Sequence, residues 1–124
     1  MNPYVAAAFM TQPVFDIRLL ENFLRRIEQF RIPVVAGIWP LVSVRNAEFM
    51  KNELRVSVPD AVLERMQKAS TPQAARDEGV AIAREMLLAV RNAVQGAQIS
   101  APLGRYSSAV DVLEALGTKS SASA

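Results

Sequence analysis

Gln12, Asn46 and Arg105 each stand just after a short apolar run or early in the helix that should follow one. In parallel α/β folds the carboxyl ends of strands converge on one face, so such residues meet in space though far apart in sequence. A carboxamide offers both a donor and an acceptor, which suits a heterocycle with paired donors and acceptors such as a pterin. An arginine offers a planar fork for a carboxylate. Each residue also has a plainer reading. Gln12 could satisfy backbone groups in a turn, Asn46 could be a solvated helix position, and Arg105 could neutralise a helix or pair with Asp111. Their shared placement after strands carries the suggestion of a ligand site.

Other chemistries are excluded or weak. The chain has no cysteine and no histidine, so disulfides, thiol chemistry, Ser-His pairs and the usual zinc sites cannot be built from it. Gly96 and Gly104 are too far apart for a dinucleotide fingerprint, and no glycine-rich phosphate loop exists. Gly37-Ile38-Trp39-Pro40 reads as a shaped loop whose tryptophan offers an aromatic face or simply packs. Asp60 and Glu64, four apart, read as a solvated helix face. Met10, Met50, Met66 and Met86 read as core filler. The 14 Lys+Arg against 12 Asp+Glu leave a net charge of +2. Arg25-Arg26 is the sole adjacent basic pair, so a nucleic-acid-tracking stripe is absent. No apolar run approaches the ~20 residues that span a bilayer. Met1-Asn2-Pro3-Tyr4 lacks the charged start of a secretory signal. The expected compartment is therefore the cytoplasm, with no membrane or nucleic-acid partner.

The elements that must position these residues follow from pattern and punctuation. Ala6 to Thr11 reads as a strand stopped by Pro13. Asp16 then opens a helix with Ile17, Leu20, Phe23, Leu24 and Ile27 at helical spacing, ending near Phe30 before Pro33. Val34 to Ile38 is a second, β-branched strand. Ser43 caps a short helix through about Asn52, and Arg55 to Val58 reads as a third strand closed by Pro59. A helix begins at Pro59 or Asp60. Thr71-Pro72 starts a long helix reaching about Val94, with Gly79, Ile82, Ala83, Met86, Val90 and Ala93 as its inward stripe. Gly96 is read as its C-cap, Ala97 to Ser100 as the fourth strand, and Ser107 to Leu116 as the closing helix.

The order βαβαβααβα implies a parallel sheet of (β/α) units, with strands apolar enough to be covered on both faces. At 124 residues the chain is one domain. Four strands are about half the eight of a closed barrel. The fold is thus either a small open α/β sheet or half of a TIM-type (β/α)8 barrel.

Four segments together resemble the methylenetetrahydrofolate reductase family. They are Thr11-Gln12-Pro13-Val14-Phe15-Asp16, Ala36-Gly37-Ile38-Trp39-Pro40-Leu41, Val42-Ser43-Val44-Arg45-Asn46-Ala47-Glu48-Phe49, and Ala101-Pro102-Leu103-Gly104-Arg105-Tyr106. The resemblance spans residues 1–117 as a partial barrel and leaves 118–124 as a small polar tail expected to be disordered. Its nearest flavour is the reductase module fused to a homocysteine S-methyltransferase domain in some bacteria.

The resemblance implies strands five to eight of an FAD-dependent (β/α)8 barrel. That barrel reduces 5,10-methylenetetrahydrofolate to 5-methyltetrahydrofolate with NAD(P)H, within one-carbon metabolism and methionine biosynthesis. It implies that Gln12 contacts both the folate pterin and the nicotinamide cofactor. It further implies that Asn46, at a position often glutamine in the family, touches folate, and that Arg105 binds the acidic folate. The family's catalytic general acid lies on the first strand, and most flavin-binding residues lie on the second to fourth strands. On this expectation the chain carries no catalytic residue, lacks most of the FAD site, and is poorly active alone. The alternative is a noncatalytic half-barrel module that assembles with itself or with an N-terminal half-barrel. A flavodoxin-like signalling domain ranks last, because no acidic cluster or phosphate loop marks the strand ends.

Overall fold

A computed structural model describes residues 8–101 and 106–117. The chain forms β1 (Phe9–Pro13), α1 (Ile17–Ile27) and a 3-10 turn (Glu28–Phe30). It continues through β2 (Val34–Ile38), α2 (Val44–Asn52), α3 (Asp60–Lys68) and α4 (Pro72–Val90). β3 (Gly96–Ile99), α5 (Tyr106–Leu113) and a second 3-10 turn (Glu114–Leu116) complete it. The helix starts follow local chemistry. The Asp16 carboxylate accepts the Arg18 and Leu19 amides, Ser43 Oγ accepts the Asn46 amide, and Thr71 Oγ1 accepts the Ala74 amide ahead of Pro72.

The three strands form one parallel sheet in the order β1-β2-β3. Leu20 of α1, Ala83, Leu87 and Val90 of α4, and Val112 of α5 form one buried cluster with Ala36 and Ile38 of β2. Three helices therefore lie on the same face of the sheet. Sequential strand order with its helices on one face is the arrangement of (β/α)-barrel units, whereas doubly wound sheets carry helices on both faces. A second cluster gathers Phe15 and Leu41, which follow β1 and β2, with Met50, Val62, Met66 and Ile82. It lies beyond the carboxyl ends of the strands, and α4 contributes to both clusters.

Several sequence expectations need correction. Arg55 to Val58 forms no strand: the segment is extended, but its Val56 amide bonds the Met50 carbonyl at the end of α2. Val56 and Val58 are buried while Ser57 is exposed, so the alternation that suggested a strand comes from coil crossing a core. The described sheet thus has three strands, not four. Gly96 is no C-cap, because α4 ends at Val90 and Gly96 opens β3 beside Val35. The sheet is not covered on both faces among the described residues: Met10, level with Val35, is 62% exposed. Ala93 of the expected inward stripe is exposed, while Ala75 and Leu87 are buried. Residues 118–124 lie outside the described residues.

Candidate functional site

β1 is an edge strand carrying an irregularity. Met10 pairs with Val35 and Pro13 with Gly37, so one extra residue is inserted between the two pairs. Pro13, which has no N–H to donate, is tolerated at such an edge. Gln12 therefore lies within the strand rather than after it, on its bulged final turn. Thr11 fixes that turn: its hydroxyl donates to the Gln12 carbonyl at 2.7 Å and accepts the Gly37 amide at 2.9 Å. A Cβ on Gly37 would lie 3.0 Å from the Thr11 carbonyl oxygen. Glycine is needed there for the bulged backbone to come close.

Gln12 is exposed, and its carboxamide makes no hydrogen bond among the described residues. It lines a cleft of about 380 Å³ whose walls are largely apolar, with Phe9, Leu19, Leu20, Phe23 and Val56 beside Thr11, Asp16 and Ser57. Phe9 and Phe23 meet edge to face at 5.3 Å, which shapes one wall. Ser57 Oγ donates to Asp16 Oδ2 across the rim at 3.5 Å. An apolar slot with a few polar groups at one end suits a planar heterocycle.

Asn46 sits differently. It is half-buried in the first turn of α2, and its Oδ1 accepts the Val42 amide at 3.2 Å. Together with the Ser43 cap this makes a reciprocal lock on the β2–α2 loop, closely related to a capping box. Asn46 does not line the cleft that Gln12 lines. Asn46 follows the carboxyl end of β2 in the chain, whereas Gln12 is the penultimate residue of β1 itself. Arg105 lies outside the described residues. Trp39 packs half-buried against the second core cluster, the plainer of its two readings. Met50 and Met66 are core residues, but Met10 is exposed. Asp60, exposed, pairs with Lys51 at 3.7 Å as part of a solvated face.

Sequence reasoning missed Thr11 and Ser57 as site residues and took Asp16 solely for a cap. The signal for Thr11 was its place beside Gln12 in a strand end followed by proline, where a hydroxyl readily bonds neighbouring backbone.

A family model for methylenetetrahydrofolate reductase matches residues 5–117. The chain belongs to this family. A search of curated proteins found no match. Membership carries a folate-reducing oxidoreductase role at the level of the family, which is generally flavin-dependent. The starts of α1 to α4 do not fit the diphosphate of a flavin dinucleotide. A diphosphate needs open helix amides or a basic cradle, but the Asp16 carboxylate occupies the start of α1 and Asp60 begins α3. Ser43 and Thr71 fill the corresponding places on α2 and α4. Among the described residues no helix is long and apolar enough to cross a membrane.

Proposed function

We propose that this chain supplies the folate-contacting side of a cytoplasmic reductase that converts 5,10-methylenetetrahydrofolate to 5-methyltetrahydrofolate with NAD(P)H. Its three described strands fall within the carboxyl half of the family barrel, strands five to eight, in the manner of the reductase module of the bifunctional methyltransferase enzymes. The proton donor and the residues that hold FAD lie outside this chain's described set. No hydride or proton step is assigned to its side chains.

The observation that carries the reading is the placement of Gln12. The Thr11 and Gly37 lock holds its backbone, and its carboxamide has no hydrogen-bond partner among the described residues at the rim of an apolar cleft. Such a group recognises the donor–acceptor edge of a pterin, and in turn that of a nicotinamide, while the apolar wall takes a ring face. Arg105 contributes charge attraction to the acidic folate. Asn46 holds the neighbouring loop and presents its remaining amide N–H groups to the ligand.

Titration calorimetry with 5-methyltetrahydrofolate tests this. The wild-type chain binds, and Gln12→Ala weakens binding by about tenfold, the value of one lost polar contact. A wild-type chain that shows no affinity for any reduced folate overturns the reading.

A further inference from the structure

Pro13 pairs with Gly37 across the parallel ladder of β1 and β2. In such a pair the Gly37 amide is directed at the carbonyl of the residue before Pro13, which is Gln12. The Thr11 hydroxyl stands between these two groups. It accepts the Gly37 amide at 2.9 Å and donates to the Gln12 carbonyl at 2.7 Å. The Gly37 carbonyl in turn accepts the Val14 amide at 2.9 Å. Both polar groups of Gly37 are thus spent on residues that flank the Gln12–Pro13 pair.

The local chain adds two further restraints. Proline fixes its own φ, and it restricts the residue before it to extended backbone, which here is Gln12. The irregularity between Met10 and Pro13 would otherwise free the Gln12 peptide to rotate, since a bulge disrupts the ladder locally. The Thr11 hydroxyl removes that freedom. Only a group that donates and accepts at one atom can bridge an amide and a carbonyl in this way. Valine copies the shape of threonine and does neither. Serine does both, but lacks the methyl group that stiffens χ1.

We propose that Thr11 is a positioning residue for folate recognition and acts through Gln12. This rests on the reading that the Gln12 carboxamide contacts the pterin. Thr11 holds the Gln12 backbone in place before the ligand arrives, so binding carries less of the cost of ordering it. Its contribution cannot exceed that of the side chain it positions. Thr11→Val therefore weakens folate binding by about fivefold, within the roughly tenfold assigned to Gln12→Ala. The coupling is reciprocal: a ligand that favours the held Gln12 also favours the closed Thr11–Gly37 bond.

Calorimetry with 5-methyltetrahydrofolate on the full chain tests this, with circular dichroism confirming that each variant is folded. Thr11→Ser returns affinity to within about twofold of wild type, because the bridging hydroxyl is restored. The double variant Thr11→Val with Gln12→Ala binds no more weakly than Gln12→Ala alone. Losses that multiply instead, to roughly fiftyfold, overturn the action through Gln12. Full affinity in Thr11→Val beside a weakened Gln12→Ala overturns the positioning role and leaves the folate reading standing. Undiminished affinity in Gln12→Ala, or a wild-type chain that does not bind, removes both. Should Thr11→Val fail to fold, hydrogen exchange on the wild-type chain decides. Saturating 5-methyltetrahydrofolate slows exchange of the Gly37 amide by about tenfold or more, and that of the Ala74 amide, held by Thr71 at the start of α4, by less than about twofold. Equal effects at the two amides overturn the proposal.

Discussion

Gly79→Ala is the substitution whose outcome the packing decides most sharply. Gly79 lies mid-way along α4, and a Cβ there would fall 1.7 Å from the Leu41 carbonyl oxygen and 2.6 Å from its carbonyl carbon. Ordinary contact begins near 3.4 Å, so α4 and the β2–α2 loop would have to separate by about half that distance. The obstruction is backbone, which has no alternative rotamer to adopt. Helix propensity alone predicts the opposite sign, a gain of ~1 kcal/mol on replacing a helical glycine by alanine. Overpacking costs ~1–3 kcal/mol where side chains can adjust, and at least the upper end of that range here. Separation would also loosen Leu41 and Ile82, both almost wholly buried. The net loss is about 2–3 kcal/mol. At ~1–3 kcal/mol per M of urea the unfolding midpoint falls by roughly 1–2 M. Circular dichroism in urea reads this directly. Ala89→Gly, exposed on the same helix, serves as the propensity control and costs ~1 kcal/mol. A Gly79→Ala midpoint equal to or above wild type would refute the close approach of α4 to this loop.

Arg65 of α3 grips two acids of α4, Glu78 at 2.5 Å and Glu85 through two bonds of 2.8 Å. The Arg65 side-chain bonds hold the Glu85 carboxyl below its ordinary value of 4.5. Because the folded-state value is depressed, the stabilisation is present above about pH 4.5 and is lost as pH falls through the folded value. All three groups are partly exposed, so Arg65→Gln costs no more than ~1 kcal/mol at pH 7, and the urea midpoints of wild type and variant draw together as pH falls below the ordinary Glu85 value. Thr11→Val removes the acceptor of the Gly37 amide. It destabilises by ~1–2 kcal/mol and speeds hydrogen exchange at Gly37, while Thr11→Ser restores protection. Asn46→Ala strands the Val42 amide and costs ~1 kcal/mol in urea, whereas Asn46→Asp keeps the acceptor and holds the midpoint within ~0.5 kcal/mol.

Features set by a few consecutive residues were legible in the sequence, and those set by distant partners were not. Asp16, Ser43 and Thr71-Pro72 cap helices through bonds spanning two or three residues, so composition alone locates those starts. A strand, by contrast, exists through its neighbour. Val56-Ser57-Val58 alternates correctly, yet the segment bonds back to Met50 instead of joining the sheet. Gly96 was misread for the same reason: it sits opposite Val35, more than 60 residues away in sequence. Pro13 does end β1, but as its last residue, because at an edge bulge a missing N–H costs little.

The same distinction bears on the site. Gln12 was legible as a placed amide because the Thr-Gln-Pro run and the glycine of the next strand are both visible in sequence. What the sequence does not show is the nonlocal Thr11–Gly37 bond, which fixes the backbone at Gln12 while the Gln12 carboxamide has no hydrogen-bond partner among the described residues. Asn46 shows the reverse. Its strand-end position reads like that of Gln12, but the Ser43-x-x-Asn46 spacing already signals a local lock, and the structure commits its oxygen to Val42. A binding group needs both a position at a strand end and an unspent hydrogen-bonding capacity. Asn46→Asp therefore separates the two roles. It preserves the loop, and it weakens folate binding if the Asn46 N–H groups reach the ligand. Unchanged affinity would leave Asn46 as scaffold alone and place recognition on Gln12.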